Sequence, residues 1–148
     1  VWPEHLPLTA RFGVLEYDGR DEEAMQESVA LARSFREEGL DLLSVSIAFS
    51  TPTAKVPWAP GLLAPIAGRI RREAGIPVSS AWGFDDPQVA EASIADGHLD
   101  QVLIGRAHLA NPHWPYATAL ALEQPRAPWL LPTPYAHWLE RYASPRKR

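Results

Sequence analysis

Hydrophobic and polar positions alternate in four short segments of the chain, and alternation of this kind is typical of β-strands. The first segment covers residues 8–12 and ends at Gly13. Its apolar residues Leu8, Ala10 and Phe12 share one face, and Arg11 lies on the other face. The other three predicted strands cover 42–47, 78–83 and 101–104.

Each predicted strand is followed by a segment with apolar residues at helical spacing, which indicates an amphipathic helix. Asp21 is predicted to cap the first helix, and Gly39 is predicted to end it. Asp86 and Asn111 are each followed by proline, the combination of a cap and a first helical residue. The four predicted helices cover 21–39, 63–75, 86–97 and 111–122.

The order strand then helix, repeated four times, predicts an α/β fold with a parallel sheet. The repeat is roughly thirty residues, the spacing of a (β/α)8 or TIM barrel of about 250 residues. Since this chain has 148 residues, we expect it to be half of a barrel in one domain covering 1–148. A four-stranded doubly wound sheet is the alternative, but no glycine-rich dinucleotide turn follows the first strand.

The segment 125–148 is predicted to be a carboxyl-terminal tail. Prolines interrupt it as far as Pro134, residues 135–142 are predicted to form a helical turn, and Arg146, Lys147 and Arg148 are predicted to be a solvated basic end. The chain begins with Val1 rather than methionine, so we expect a piece of a longer protein, although processing or the choice of expressed segment gives the same start.

The composition is that of an ordinary soluble globular protein, and it narrows the choice of partners. The net charge of −4 gives no reason to expect nucleic acid or an anionic membrane as a partner. The absence of cysteine excludes thiolate catalysis and zinc held by sulfur. We see no leader and no bilayer-length apolar run, so we expect a cytoplasmic protein.

Two strand ends carry the chemistry suited to a phosphate. Trp82 and Gly83 end the third predicted strand, and Gly105 and Arg106 follow the fourth. Carboxyl ends of parallel strands meet at one edge of a barrel, where the loops after strands seven and eight commonly bind phosphate. We predict one shared site, with backbone N–H groups at the glycines and charge-assisted bonds from Arg106. The alternative is that these glycines only end strands.

Arg11 is predicted to point into the barrel interior, where a buried arginine needs a partner. The partner is either an anionic or electron-rich ligand, or a carboxylate such as Glu16 or Asp41. Three tryptophans at loops, strand ends or the tail could wall a flat ligand, namely Trp58, Trp82 and Trp138. The five histidines show no metal-ligand spacing, so we predict no metal site.

Five segments in order together resemble the carboxyl-terminal half of the old yellow enzyme family, and most nearly the xenobiotic reductases of its thermophilic-like class. The resemblance implies strands five to eight of a TIM barrel. It also implies a full-length enzyme that binds FMN, takes electrons from NADPH or NADH, and reduces activated C=C bonds of small electrophilic alkenes. The five segments are 8–13, 40–46, 80–84, 104–112 and 135–142.

The same resemblance assigns roles to individual residues. Arg11 matches an arginine beside the N1 and C2 carbonyl of the flavin, and Gly83, Gly105 and Arg106 match the FMN phosphate site. Trp82 matches an aromatic residue near flavin and substrate. Trp138 matches a tryptophan that shapes the active site, in some members at a subunit contact, so a homo-oligomer is expected at full length.

The family's substrate-binding histidine pair and proton-donating tyrosine belong to strands one to four, which this sequence does not contain. We therefore expect no catalytic residue here and no activity from this chain alone. A second hypothesis is a self-associating half-barrel that binds FMN or phosphate without catalysis. A third is another phosphate-binding barrel enzyme such as a relative of dihydroorotate dehydrogenase, against which the Arg11 strand and the Trp138 tail argue.

Overall fold

A computed structural model describes residues 2–50, 52 and 54–142. Two compact units make up the chain, Val1–Ile104 and Gly105–Arg148. The first unit contains β1 (Thr9–Leu15), α1 (Asp21–Glu37), β2 (Leu42–Ile47), α2 (Ala64–Ala74), β3 (Val78–Ser80), α3 (Pro87–Ala95) and β4 (Gln101–Val102). The second contains α4 (Arg106–Ala110), α5 (Trp114–Ala121), a 3-10 helix (Ala127–Leu130) and α6 (Thr133–Arg141).

The four strands form one parallel sheet in the order β1-β2-β3-β4, so the predicted α/β class with a parallel sheet is confirmed. Each strand lies beside the next strand in sequence, which is the commonest arrangement of consecutive strands. The lengths differ from the prediction. β1 runs on through Gly13 to Leu15 across an irregularity in register, whereas β3 and β4 are shorter than predicted.

One face of the sheet is apolar and carries the helices. Leu43, Val45 and Val78 are fully buried on this face, and α1 and α2 pack beside the strands and against each other. Their inward residues follow the predicted helical spacing. These buried residues are Met25, Val29 and Ala32 of α1 and Ala67 and Ile70 of α2. Parallel sheets require such cover, because their strands are apolar on the face that meets the helices.

The helix boundaries agree with the prediction where a backbone constraint sets them. Gly75 ends α2 with φ of 68°, a conformation that glycine adopts without strain. Asp86 caps α3 by accepting a 2.8 Å hydrogen bond from the backbone N–H of Gln88. The prediction for Asp21 was wrong. Asp21 is the first residue of α1 and accepts a hydrogen bond from the Tyr17 N–H, in the preceding turn.

The second unit differs from the prediction at Asn111. Its side chain accepts a hydrogen bond from the His113 N–H, but Asn111 ends α4 instead of starting the next helix, and α5 begins at Trp114. The predicted helical turn near the carboxyl terminus is confirmed as part of α6. The basic end, Arg146 to Arg148, lies outside the described residues.

Candidate functional site

The carboxyl edge of the sheet carries three aromatic residues in an unusual backbone conformation. Tyr17, Phe49 and Trp82 each lie two residues beyond the end of a strand, β1, β2 and β3 respectively. Their φ angles are 57°, 59° and 79°, in the left-handed region that side chains rarely adopt. Such conformations cost about 1–3 kcal/mol each and concentrate at functional sites. This edge is therefore the first candidate for a site.

Two of these residues join Trp58 to form what we call the aromatic cluster: Phe49, Trp58 and Trp82. The ring centroids are 5.1 Å apart for Trp58 and Trp82, 6.0 Å for Phe49 and Trp82, and 6.2 Å for Phe49 and Trp58. Phe49 and Trp58 are both more than half exposed. Large aromatic surfaces left open beside strand ends could wall a flat ligand.

Trp82 also brings an unused hydrogen-bond donor to the cluster. Its indole Nε1 is buried and has no hydrogen-bond partner among the described residues. A buried N–H is normally paired, because leaving it unpaired costs about 1–3 kcal/mol. The sequence indicated Trp58 and Trp82 as candidates but missed Phe49. Its place two residues beyond β2, like that of Trp82 beyond β3, was the available signal.

Arg11 lies on the polar face of the sheet, as strand alternation predicted, but it is exposed rather than buried. β1 is an edge strand, so no described strand lies on its outer side to cover the side chain. Its Nη2 donates a 3.1 Å hydrogen bond to the Ser46 hydroxyl on β2. Asp41, one of the carboxylates considered as a partner, accepts a hydrogen bond from the Leu8 N–H.

A row of polar side chains crosses the same face. Arg11 pairs in register with Ser44, Ser44 with Ser79, and Ser79 with Gln101, so one polar position from each strand lies in line. The Ser44 and Ser79 hydroxyls are buried without a hydrogen-bond partner among the described residues. This face of the parallel sheet is therefore polar along its centre, in contrast to the opposite face, which is apolar and carries the helices.

Gly83 is explained in this structure by the packing of the neighbouring loop. Its φ is 72°, and a Cβ atom there would lie 2.7 Å from the Pro60 Cα. The glycine therefore lets the 54–61 loop approach β3, which is a structural reason for its presence. Its backbone contact with a phosphate stays a prediction.

Gly105 and Arg106 begin the second unit. Gly105 precedes the short helix α4 with its backbone exposed, and a Cβ atom there would meet open space. Arg106 is the first residue of α4 and is also exposed. No packing constraint within the described residues demands glycine at 105, in contrast to Gly83. Its phosphate role stays a prediction, as does the charge contribution of Arg106.

Trp138 lies on α6 of the second unit, with 71% of its surface exposed. Its ring meets His137 edge-on, with centroids 5.4 Å apart. A tryptophan so exposed contributes little to the packing of its own unit, and its surface is available for another contact. Its role at a substrate pocket or subunit contact stays a prediction.

Tyr17, which follows β1 at the carboxyl edge, carries a titratable phenol. Burial raises the pKa of the Tyr17 phenol above 10, and the negative charge of Asp21 raises that pKa further. Tyr17 therefore stays protonated at neutral pH. Over the described residues, no group of three or more histidine and carboxylate side chains could hold a metal ion. None of the described helices is both long and apolar enough to cross a membrane.

Comparison with known proteins places this chain beside bacterial NAD(P)H enzymes. It is 36% identical over 116 residues to an NADPH dehydrogenase of Geobacillus thermodenitrificans, and 32% identical over 117 residues to one of Halalkalibacterium halodurans. Each match covers 78% of this chain and 34% of the relative. A NADH oxidase of Thermoanaerobacter brockii is 32% identical over 76% of this chain and 18% of that enzyme.

The chain thus spans about a third of the length of the NADPH dehydrogenases that it matches. Among solved structures, it is similar to a dihydropteroate synthase of Xanthomonas albilineans with 4-aminobenzoic acid. The TM-score is 0.50 at 20% identity, over 82% of this chain and 46% of that one, and this likeness bears on the fold alone. No protein-family model matches the chain.

Proposed function

We propose that this chain is the carboxyl-terminal half of an FMN-dependent NAD(P)H oxidoreductase of the old yellow enzyme family. The observation that carries the proposal is its 36% identity over 116 residues to an NADPH dehydrogenase. The named relatives include NADPH dehydrogenases and a NADH oxidase, which supports a nicotinamide reductant. Because the chain spans about a third of the dehydrogenases, the activity belongs to the longer protein and not to this chain alone.

The sheet supports the half-barrel part of the proposal. In a TIM barrel each strand lies beside its sequence neighbour, and the order β1-β2-β3-β4 follows that rule. A doubly wound sheet instead reverses its strand order at a switch point. The similarity to a TIM-barrel dihydropteroate synthase supports the same assignment. In the proposed enzyme these four strands are strands five to eight.

The residues of the first unit fit a flavin on chemical grounds. The exposed Arg11 guanidinium supplies a positive charge suited to the polar edge of the ring, and the aromatic cluster supplies open apolar surface. The unpaired indole N–H of Trp82 supplies a donor for a buried acceptor. Bound FMN would supply the two-electron redox chemistry, and these side chains would bind and orient it.

Gly105 and Arg106 are the residues of the second unit proposed to bind the FMN phosphate, and a backbone contact from Gly83 of the first unit is a separate proposal. The open space around Gly105 allows close approach to its backbone, and Arg106 offers a guanidinium for charge-assisted bonds. Gly83 has the packing role described above, so its share in phosphate binding is the weaker part of this assignment.

Trp82 and Trp138 are each proposed, as separate assignments, to contact the substrate of the full-length enzyme. The substrates proposed for the full-length enzyme are small alkenes whose C=C bond is activated by a carbonyl or similar group. Aromatic surfaces suit such planar molecules, and the large exposed surface of Trp138 is also available to a second subunit of a homo-oligomer.

The test uses the complete gene product. We expect it to be isolated yellow, or to become yellow after FMN is added, and to oxidise NADPH or NADH when cyclohexenone is present. A full-length protein that stays colourless with added FMN contradicts the proposal. A yellow protein that consumes NADPH without reducing the alkene supports the flavin and contradicts the substrate class.

Substitution of Arg106 tests the phosphate assignment. Loss of a charge-assisted contact costs about 1.5–3 kcal/mol, so Arg106→Ala should weaken FMN binding by roughly 10-fold to 100-fold in a fluorescence titration. Arg106→Lys keeps the charge but not the bidentate geometry, and we expect an intermediate affinity. His108→Ala changes another exposed residue of α4 and is the matched control. Equal FMN affinities for all three variants contradict the assignment.

A further inference from the structure

The Arg11 side chain passes the residue that lies directly opposite it and reaches the next polar position along the neighbouring strand. In register, Arg11 pairs with Ser44, and Gly13 pairs with Ser46. The guanidinium nevertheless donates its 3.1 Å hydrogen bond to Ser46, while the Ser44 hydroxyl has no hydrogen-bond partner among the described residues. Ser46 lies two residues nearer to the carboxyl end of β2, so the charged group is directed toward the carboxyl edge.

The serine that accepts the hydrogen bond from Arg11 is a buried residue. Ser46 is 7% exposed, and Ser44, on the same face of the same strand, is 8% exposed. The two serines therefore differ in their contact with Arg11 and hardly at all in burial.

We propose that Ser46 is a positioning residue, which holds the Arg11 guanidinium toward the carboxyl edge of the sheet. This inference rests on the proposed function, because the ligand that the guanidinium would meet there is the flavin ring. A fixed positive charge beside the ring favours the more negatively charged reduced state. A long arginine side chain on an exposed edge strand has many rotamers, and a buried hydroxyl acceptor selects among them.

The experiment compares three variants of the complete FMN-loaded protein: Ser46→Ala, Ser46→Thr and Ser44→Ala. Ser46→Ala should lower the flavin midpoint potential by about 30 mV, a tenfold change in the equilibrium between oxidised and reduced forms. Ser46→Thr keeps the hydroxyl and should restore the wild-type potential. Ser44→Ala removes an equally buried hydroxyl that does not bind Arg11, and it should leave the potential unchanged.

A second measurement tests the hydrogen bond between Arg11 and Ser46 in the absence of FMN. In the apoprotein, NMR relaxation of the Arg11 guanidinium should show greater mobility in Ser46→Ala than in the wild type or in Ser44→Ala. If Ser46→Ala does not fold, Ser46→Cys serves in both measurements, because it replaces the hydroxyl with a slightly larger group that is a weaker acceptor.

The outcomes separate this inference from the proposed function. A protein that never binds FMN contradicts the proposed function, while the NMR measurement still tests whether Ser46 holds Arg11. A protein that binds FMN but has the same potential in Ser46→Ala as in the wild type overturns the inference alone. An equal shift in Ser44→Ala also overturns it, because the effect is then a general result of losing a hydroxyl from this face.

Discussion

At the scale of single residues, Asp100, which directly precedes β4, links the start of β3 to helix α2. Its carboxylate accepts a 2.9 Å hydrogen bond from the Val78 N–H and a second from the Arg71 guanidinium on α2. The hydrogen bond from Arg71, and after it that from Val78, hold the pKa of this carboxyl below its usual value. The ionised carboxylate therefore stabilises the fold.

The stability contributed by Asp100 should depend on pH with a definite sign. Because the folded pKa is lowered, the contribution is present above the pKa of the unfolded chain, about 3.9, and is lost as pH falls through the folded pKa. We expect Asp100→Asn to lower the free energy of unfolding by about 1 kcal/mol at pH 7, since the ion pair is partly exposed. Urea denaturation of the variant and the wild type at pH 7 measures this difference in the free energy of unfolding.

The control for this prediction is Asp96→Asn, which changes an exposed aspartate at the end of α3. We expect a change within about 0.5 kcal/mol for that variant. A difference between Asp100→Asn and the wild type that stayed constant down to pH 2 would show that the charge of Asp100 is not the source of its effect.

At the scale of elements, an ion pair joins the first turn of α1 to α2. Both Glu22 carboxylate oxygens accept hydrogen bonds from Arg69, at 2.6 and 2.7 Å, and Arg69 also binds Glu73 one turn along its own helix. The hydrogen bonds from Arg69, and next that from Gln26, lower the pKa of Glu22 to about 2. Helices α1 and α2 are therefore joined by an ion pair as well as by apolar packing.

We expect the Glu22 carboxyl to titrate near pH 2 in carbon-detected NMR. Because its pKa is lowered in the folded state, the stability it contributes is present above the unfolded value and is lost as pH falls toward 2. Arg69→Ala should raise the midpoint of the Glu22 titration toward the usual range. High salt should act in the same direction, because Glu22 is exposed and Arg69 is partly exposed. Arg72→Ala, on the same helix, is the control and should leave the midpoint of the Glu22 titration unchanged.

The pairing of β1 with β2 depends on a glycine. A Cβ atom at Gly13 would clash with the backbone N and Cα of Ala48, just past the end of β2. Backbone atoms there cannot move aside as a flexible side chain can, so Gly13→Ala should destabilise the protein by about 1–3 kcal/mol. Thermal denaturation measures this, with Gly105→Ala as control, since the space around Gly105 is open. Equal melting temperatures would contradict the reported register.

At the scale of the whole molecule, the sheet has two open edges among the described residues, β1 and β4. The β1 edge is seven residues long, and exposed edges of that length favour pairing with other chains. We therefore expect the isolated 148-residue chain to associate as its concentration rises, as measured by light scattering. Thr9→Lys places a charge on this edge and should reduce the association.

The outcome also bears on the hypothesis of a self-associating half-barrel. A discrete dimer that forms with or without Thr9→Lys, and that binds FMN, would favour that hypothesis over open-ended pairing at the β1 edge. A monomer at every concentration would contradict the expectation that the β1 edge is available.

The candidate site could be predicted only in part. Alternation placed Arg11 on the polar face and Trp82 at the end of the third predicted strand, because both follow from local periodicity. In the structure β3 ends at Ser80, two residues before Trp82. Phe49 was missed, since its role depends on a left-handed backbone and on rings from two other segments. The exposure of Arg11 was also missed, because it depends on which strand lies at the sheet edge.

The sequence by itself determined the strand–helix order, the bounds of β2 and the end of α2 at Gly75, because periodicity and glycine's freedom at positive φ act within a few residues. The tertiary structure decided that β3 and β4 are short, that Asn111 ends a helix instead of starting one, and that Arg11 binds Ser46 and not the Ser44 opposite it. Those features depend on neighbours distant in the chain, whose positions no local pattern encodes.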